Sequence, residues 1–237
     1  MSGNEATVNQ NGVEVTEQRI LNWRDQDTFV RNGDLFQLVN GKDMQFARAV
    51  FPPGSEYEMH RHPHEQFSVL LSGRIRLVVG DEIREIGPGE VWYVPSDVVH
   101  GGQILGDEPA IFLDVYSLAT PWIIDVLNGP GIRRVPAGER TTVVHNQRDD
   151  YDQYIGRAVP EAGIEGSKWG NPFVLENDSD AERDRVLVKY RAWIIEEPEL
   201  MAALGELRGL RLGCWCAPKS CHGDVLAELA DAYGSID

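Results

Sequence analysis

Two short segments rich in metal-ligand side chains constrain what this chain can fold into. The first, 54–73, begins and ends with glycine and contains His60, His62 and Gln66. The second lies a little downstream and ends with His100. Residues at positions i and i+2 of a β-strand point to the same face, so His60 and His62 would share one. A small β-barrel would return His100 to that face and so build one open metal site.

The residues around these segments are predicted to form short strands. Apolar and polar side chains alternate over 74–79, and a Gly-Asp pair then separates this strand from 83–86, as in a tight hairpin. Further strands are predicted over 91–94 and 111–116. Strands this short, at this spacing, indicate a sandwich or barrel, so the fold class predicted for the N-terminal half is all-β.

Changes in composition along the chain predict two domains. Residues 1–18 are polar and are predicted to form a flexible tail, followed by a barrel over 19–128. The stretch 129–140 has the glycine and proline content of a linker. Over 141–237 strand-like and helix-like patterns alternate, and a capping-box spacing that starts at Ser179 predicts a helix. The second domain is therefore predicted to be α/β.

Charge and cysteine usage exclude several classes of protein. The chain has 38 acidic and 22 basic side chains, a formal net charge of -16, which argues against a nucleic-acid or anionic-membrane surface. The polar tail has no apolar core of a secretory signal, and no apolar run is long enough to span a bilayer. Three cysteines within eight residues are not a disulfide framework. A cytoplasmic protein that acts on a small molecule is the simplest interpretation.

The histidine segments resemble the two motifs of the cupin family. They stand here as Gly54-(x5)-His60-x-His62-(x3)-Gln66-(x6)-Gly73 and Gly89-(x5)-Pro95-(x4)-His100. The resemblance covers about 46–117 and implies a double-stranded β-helix, or jelly-roll, barrel. It also implies four ligands for one divalent metal, namely His60, His62, Gln66 and His100, with Gln66 where many cupins have glutamate. Cupin barrels commonly pair through edge strands, so a homodimer is implied as well.

The chemistry of this ligand set agrees with a transition metal. Imidazole nitrogens suit Fe, Mn, Ni, Zn or Cu. Four neutral ligands leave the full 2+ charge on the metal, which favours an anionic or enolisable substrate. The alternative is that these histidines are ordinary surface or capping residues. His64 and Glu65 are predicted to lie at the turn after the ligand strand, in a structural or supporting role.

Asp114 is the candidate general acid or base of the first domain. The segment resembles a cupin subgroup that includes a pectin-degradation protein acting on unsaturated uronates, in which an acidic residue of a late strand takes part in proton transfer. Asp114 stands at that position. A carboxylate facing a barrel interior is costly unless function requires it, although a structural aspartate is the alternative. That subgroup carries an arginine a few residues later, where this chain has Thr120, which argues against a uronate substrate.

The second half resembles the domain of unknown function DUF4326 over 143–230. Its most distinctive motif is a cluster of three cysteines and one histidine: Cys214, Cys216, Cys221 and His222. Three interpretations stay open. The four side chains can close a tetrahedral zinc site. Alternatively, Cys221 is a reactive thiolate at a helix N-terminus with His222 as its catalytic partner, or the cysteines simply pack in the core.

Two predicted loops suggest a second ligand site in this half. They combine glycines with Arg157, Lys168, Trp169 and Asn171. Backbone amides and cations suit an anion, and an aromatic ring suits stacking, so a phosphate or nucleotide-like cofactor is predicted. Loop glycines beside a structural tryptophan are the alternative.

Together these features predict a metal-dependent cupin enzyme that acts on a small polar or anionic metabolite. The reaction would be metal-assisted proton transfer, of isomerase or lyase type, or oxygen activation, coupled to a second small-molecule site in the C-terminal domain and serving specialised metabolism. Two alternatives stay open: a two-step biosynthetic fusion, such as one that forms a nitrogen–nitrogen bond, and a cupin that senses a ligand without catalysis.

Overall fold

The computed structural model describes residues 7–117 and 120–233, and the chain divides into two compact units, 1–138 and 139–237. Each unit has its own secondary structure and its own buried core. Among the described residues, no helix combines the length and the apolar character needed to cross a bilayer.

The described part of the N-terminal unit is almost entirely β-structure. Its strands are β1 (Thr28–Arg31), β2 (Asp34–Asn40), β3 (Met44–Phe51), β4 (Glu56–His60), β5 (Gln66–Ser72), β6 (Arg74–Val79), β7 (Glu82–Ile86), β8 (Val91–Val94), β9 (His100–Leu105), β10 (Ala110–Ser117) and β11 (Arg133–Val135). One helix, α1 (Pro121–Leu127), lies between the last two strands, and a 3-10 turn (Trp23–Asp25) precedes the first.

These strands form two antiparallel sheets around one core. The larger sheet has the order β11-β1-β2-β3-β10-β5-β8, and the smaller has the order β4-β9-β6-β7. Phe51, Leu70 and Phe112 of the larger sheet share a buried cluster with Ile75 and Ile104 of the smaller. The N-terminal unit is therefore a cupin-like β-sandwich, as the sequence predicts.

The strand alternation and the hairpin expected from the sequence are both present. Along β6, Ile75 and Leu77 are buried while Arg74 and Arg76 are exposed. Val79 pairs with Glu82, so the turn between β6 and β7 is the predicted two-residue turn. The period of two places the apolar side chains of this strand in the core.

The stretch 129–140, predicted to be a linker, contains a strand that belongs to the sandwich. Residues of β11 pair antiparallel with β1, from Thr28 opposite Val135 to Val30 opposite Arg133. The Asp27 carboxylate also accepts a hydrogen bond from the Ala137 backbone N–H, at 2.9 Å. The polypeptide therefore leaves the first unit only after Gly138.

The C-terminal unit combines a small parallel sheet with helices. Its strands are β12 (Thr142–His145), β13 (Gln153–Tyr154) and β14 (Arg211–Cys214), in the order β12-β14-β13. Its helices are α2 (Asp180–Ile194), α3 (Pro198–Ala203) and α4 (His222–Ala232), with 3-10 turns at Pro160–Ala162 and Leu204–Leu207. Tyr190, Leu212 and Leu226 lie in its core.

Helix α2 begins where its sequence predicts. The Ser179 hydroxyl accepts a hydrogen bond from the Glu182 backbone N–H, which satisfies one of the free amides of the first turn. The chain leaves the helix after Ile194 and begins α3 at Pro198, which cannot continue a helix but fits its first turn. This unit therefore has the α/β character predicted for it.

Candidate functional site

Three histidines converge at one end of the N-terminal sandwich. His60 ends β4 and lies opposite His100, which begins β9. The ring centroids of these two side chains are 4.2 Å apart, and the His62 ring is 4.9 Å from that of His100. One ring nitrogen from each histidine lies within 4.8 Å of the others. The structure thus brings together three of the four predicted metal ligands as a group that could hold an ion.

Backbone carbonyl groups fix the protonation of all three rings. Each Nδ1 lies at hydrogen-bonding distance from one carbonyl oxygen: that of Glu58 for His60 (2.8 Å), that of His64 for His62 (3.0 Å) and that of Val98 for His100 (3.0 Å). A carbonyl oxygen only accepts, so each Nδ1 carries a proton. This leaves the Nε2 lone pairs of His60 and His100 available, while the Nε2 of His62 faces the Gln66 amide oxygen. The form with its proton on Nδ1 is the tautomer that binds metals through Nε2.

Burial keeps two of these rings neutral. It lowers the pKa of His60, and it lowers the pKa of His100 to about 4. The buried Nε2 of His100 has no hydrogen-bond partner among the described residues. A buried lone pair that faces two further imidazoles is the arrangement that a metal ion satisfies, so the donor set fits the predicted metal.

Gln66, the fourth predicted ligand, begins β5 with its amide held between the histidines and Asp114. Its Nε2 donates to the Ser68 hydroxyl at 2.8 Å and to the Asp114 carboxylate at 3.0 Å. Its Oε1 lies 2.9 Å from the Nε2 of His62. Because the amide nitrogen donates a hydrogen bond to the Asp114 carboxylate, the amide oxygen faces the histidine group, as the oxygen of a metal ligand would.

Asp114 lies on β10 beside this group and is only 3% exposed. Its carboxylate accepts hydrogen bonds from the Ser68 hydroxyl at 2.5 Å, from Gln66, and from the Tyr116 hydroxyl at 3.4 Å. Burial raises its pKa to about 6, against the opposing effect of these hydrogen bonds. A carboxyl group with this pKa exchanges protons readily near neutral pH.

A cavity of about 210 Å³ opens beside His60 and Asp114. It is smaller than most ligand pockets, which run from about 300 to 1,000 Å³, so it suits a small molecule. Apolar side chains form most of its wall: Phe36, Phe51, Phe112, Trp122, Ile123, Val126 and Ile132. Polar groups are few, which makes each of them a candidate for recognition.

Arg31 is the cavity residue that sequence reasoning missed. It ends β1, and its guanidinium lies 3.3 Å from the Glu58 carboxylate, with 29% of its side chain exposed. It is the one arginine among the residues that line this cavity in the described structure. It precedes the first histidine by 29 positions. No motif spacing links the two, so only the fold could reveal their proximity.

His64 and Glu65 lie outside the histidine group. His64 is buried, and its Nε2 lies 2.5 Å from the Thr120 hydroxyl. Glu65 accepts a hydrogen bond from the Tyr93 hydroxyl at 2.5 Å. Both contacts support the loop that carries His62 and agree with the supporting role predicted for these residues.

The C-terminal unit has a second cluster of ligand-type side chains. Cys214 ends β14, Cys221 caps α4 and His222 is the first residue of that helix. Their sulphur and nitrogen atoms lie within 4.8 Å of one another, and all three residues are buried. Cys216 lies beside them, half-buried, on the wall of a cavity of about 110 Å³.

The loop residues predicted to bind a nucleotide-like cofactor separate in the structure. Arg157 and Asn171 line the same small cavity as the cysteines. Lys168 instead forms a surface ion pair with Glu206, at 2.8 Å. Trp169 is 1% exposed, and its ring lies in the core, where it cannot stack on a ligand that enters from solvent. The prediction that Trp169 stacks on a ligand is therefore wrong, because this residue belongs to the core.

Comparisons with known proteins match each unit separately. The cupin domain family matches residues 47–116, and the domain of unknown function DUF4326 matches residues 140–232. An uncharacterized 12.4 kDa protein from the nrdA-td intergenic region of enterobacteria phage T4 is 34% identical over 95 residues, which make up 40% of this chain and 81% of the phage protein.

Two relatives from Bacillus subtilis carry enzyme names. Oxalate decarboxylase OxdC is 35% identical over 93 residues, 37% of this chain and 24% of the decarboxylase. H2HPP isomerase is 30% identical over 101 residues, 42% of this chain and 40% of the isomerase. The chain therefore spans less than half the length of either enzyme.

Among solved structures, an RmlC-like cupin from Shewanella frigidimarina is 22% identical with a TM-score of 0.41, covering 44% of this chain and 93% of that protein. By the two family matches, the chain contains a cupin domain at residues 47–116 and a DUF4326 domain at residues 140–232.

Proposed function

We propose that the N-terminal unit is a metal-dependent enzyme that transfers a proton on a small carboxylate-bearing metabolite. One observation carries the proposal. A buried carboxyl group, Asp114, lines the cavity and is hydrogen-bonded to Gln66, whose amide oxygen faces the three histidines. An acid/base group and one of the candidate metal ligands, His60, thus line the same small cavity. The similarity of the chain to proteins named as an isomerase and as a decarboxylase supports an enzymatic role.

The three histidines and Gln66 would hold one divalent transition metal. When bound, such an ion would supply a Lewis acid that draws electron density from a substrate oxygen and so acidifies the neighbouring C–H bond. The ligand atoms are neutral, so the full charge of the ion stays available for this purpose. The site contains no sulphur ligand, which leaves Fe, Mn, Ni, Zn and Cu as candidates.

Asp114 would move the proton. The Ser68 hydroxyl and the Gln66 amide donate to its carboxylate and hold it in place. With a pKa raised to about 6 by burial, it is deprotonated at neutral pH and can be reprotonated during the reaction. It would accept a proton from one carbon of the substrate and return it to another, as an isomerase requires.

Arg31 would bind the substrate carboxylate at the mouth of the cavity. Its guanidinium matches a carboxylate in shape and charge. The apolar wall would hold the remainder of the molecule, and the small volume limits that remainder to a short chain or a single ring. The chain lacks the arginine that follows the late strand in the uronate subgroup, and Arg31 would supply that charge from β1 instead.

Solvent exchange tests the proposal with a panel of small 2-oxo acids in place of the natural substrate. The full chain, loaded in turn with each candidate metal, is incubated with each acid in D2O, and proton NMR follows the loss of the C–H signal. We expect metal-dependent exchange, and we expect Asp114→Asn to slow it by about 10²- to 10⁴-fold while its metal content stays unchanged. Asp125→Asn, on the exposed side of α1, is the matched control and should exchange like wild type.

A second variant tests substrate binding. Arg31→Met should raise KM for carboxylates much more than it lowers kcat, since it removes an interaction made in both ground and transition states. Arg84→Met, which removes an exposed arginine of β7, is its control. Wild-type exchange by Asp114→Asn would exclude the acid/base role. Tight binding of 2-oxo acids without exchange would support a ligand-sensing cupin instead.

A further inference from the structure

We propose that the C-terminal unit binds a structural zinc ion through Cys214, Cys221 and His222, with Cys216 as the fourth ligand. The proposal concerns a different unit from the cupin site and does not depend on it. It selects one of the three interpretations that the sequence leaves open for the cysteine cluster.

The ligand atoms already converge. Those of Cys214, Cys221 and His222 lie within 4.8 Å of one another, and each of these side chains is at most 7% exposed. The sulphur of Cys216 contacts both of the other sulphurs. Two buried thiols and one buried imidazole, with the half-buried thiol of Cys216 beside them, match the ligand set of structural zinc sites.

The histidine is protonated on the side away from the cluster. Its Nε2 lies 2.8 Å from the backbone carbonyl oxygen of Ile155, which can only accept a hydrogen bond. The proton is therefore on Nε2, which leaves the Nδ1 lone pair available to bind a metal ion. A carbonyl partner on the second ring nitrogen is typical of metal-bound histidine. A histidine that acts as general base for a catalytic thiol would be held by the same carbonyl contact. The tautomer therefore does not distinguish a general base from a zinc ligand, and it is the presence of three thiols beside His222 that favours zinc.

Backbone geometry also favours thiolates at this place. The Cys221 sulphur accepts a hydrogen bond from the Gly223 N–H at 3.3 Å, at the N-terminus of α4. The Asp224 carboxylate accepts from the Cys221 N–H at 2.8 Å and closes the capping box. These contacts hold the cysteine rigidly at the start of the helix. Its sulphur is oriented toward β14, where Cys214 lies.

Charge compensation provides an independent argument. A zinc ion with three thiolates and one neutral imidazole carries a net charge of −1, which is costly to bury unless a cation lies beside it. Arg183 of α2 is 8% exposed and contacts the Cys216 sulphur. Its buried Nε has no hydrogen-bond partner among the described residues. The guanidinium also forms an ion pair with Asp178, so what it offers an anionic metal centre is this one unpaired Nε–H beside the cluster.

Zinc at this place would join two consecutive elements, the end of β14 and the start of α4. Cys214 belongs to the central strand of the small sheet, and Cys221 and His222 begin the helix that packs on it. The intervening residues 215–220 would be closed into a loop by the ion. Because such a site rarely forms in the unfolded chain, its binding free energy would add directly to the stability of the unit.

Cobalt substitution of the full chain under reducing conditions tests this assignment. The cupin ligands contain no sulphur, so a sulphur-to-cobalt charge-transfer band can come only from the cysteine cluster. We expect this band in wild type, together with the strong visible bands of tetrahedral cobalt, and we expect zinc to abolish both. Cys214→Ser and Cys221→Ser each remove one of the three thiolates and should lower the charge-transfer intensity by at least one third. His145→Gln, which alters a histidine of the same unit outside the cluster, should keep the full intensity.

The Cys216→Ser variant tests whether Cys216 is the fourth ligand. With two thiolates left instead of three, the charge-transfer intensity should fall by about one third while cobalt stays bound. An unchanged band would overturn the role of Cys216 as fourth ligand. A band of full intensity in Cys214→Ser or Cys221→Ser would overturn the proposed site.

A measurement on wild type alone covers the case in which the serine variants do not fold. Titration of the purified protein with a mercurial reagent should release one zinc ion as three thiols react, detected with a colorimetric zinc indicator. Release of no zinc, together with no cobalt–thiolate band in folded protein, would overturn the proposal and leave the cysteines as packing residues or nucleophiles.

Discussion

At the scale of single residues, the neighbours of Arg31 show how the cavity mouth is charged. Arg31 pairs across the β1–β2 turn with Asp34, and it also lies near the Glu58 carboxylate. Asp34 is 6% exposed, and burial raises its pKa to about 7, in spite of the attraction of Arg31. The guanidinium thus has one exposed acidic partner and one buried partner that is largely neutral below pH 7, which leaves it able to bind an anion.

The raised pKa of Asp34 makes a prediction about stability. The unfolded chain releases this proton near pH 4, while the folded protein keeps it until about pH 7. The stabilisation from this proton is therefore fully present below pH 4 and is lost as the pH rises to about 7, which lowers the free energy of unfolding by about 4 kcal/mol. Asp34→Asn should remove this decline, measured as the free energy of unfolding in urea from pH 4 to 8.

Asp81→Asn, in the exposed β6–β7 turn, is the control for that experiment and should follow wild type. A parallel decline in Asp34→Asn and wild type would show that Asp34 does not carry the effect.

The site residues differ in how far the sequence could predict them. The histidines and Gln66 follow a spacing along two neighbouring segments, so their convergence is predictable from the sequence. Arg31 and Trp122 reach the cavity from β1 and α1, and nothing in their local sequence marks them. For Trp169 the sequence predicts a ligand-stacking ring where the structure has a core residue. The local sequence of glycines and cations around an aromatic residue does not indicate whether its ring is exposed or buried.

At the scale of elements, two motif glycines provide a matched test of why the cupin motif needs them. Gly54 and Gly73 both have left-handed backbones, with φ of 72° and 78°. A Cβ on Gly54 would meet nothing within 4 Å, whereas a Cβ on Gly73 would lie 2.5 Å from the Pro109 carbonyl oxygen and 2.7 Å from the Ala110 Cα. Of these two glycines, only Gly73 is required both by its left-handed backbone conformation and by the close approach of another backbone segment.

Alanine at these positions should therefore have unequal effects. Gly54→Ala should lower the free energy of unfolding by about 1 kcal/mol, the cost of a left-handed alanine. Gly73→Ala should cost at least twice as much, since β10 must shift away from the new methyl group. Calorimetry of the N-terminal transition measures both variants. Equal losses would mean that the backbone angle alone explains the motif.

Elements with strong local patterns are predictable from the sequence, and very short ones are not. The β6–β7 hairpin and α2 have clear periods and clear ends, a two-residue turn in one case and a Ser179 cap in the other. The three-residue β11 has no period to detect, and its surroundings are rich in glycine and proline. Its role as a strand depends on pairing with β1, about a hundred residues earlier, and local sequence does not encode that pairing.

At the scale of the whole molecule, the position of β11 decides where the first unit ends. Its register places Val135, 3% exposed, opposite Thr28, and Arg134 forms an ion pair with Asp27. A chain that stopped at residue 128 would lose the pairing of β11 with β1, the burial of Val135 and the ion pair between Arg134 and Asp27. It would also leave β1 as an open edge of the sheet. Open edges favour pairing with other molecules and aggregation.

We therefore expect fragments 1–138 and 1–128 to behave differently. The longer fragment should fold and unfold with the same midpoint as the N-terminal transition of the full chain. The shorter one should be less stable by about 2 kcal/mol or more, because burial of Val135 alone contributes on that scale, and it should aggregate at high concentration. Calorimetry and light scattering measure the two effects. A fragment 1–128 as stable and as monodisperse as 1–138 would show that β11 is dispensable and that the unit ends where its composition changes.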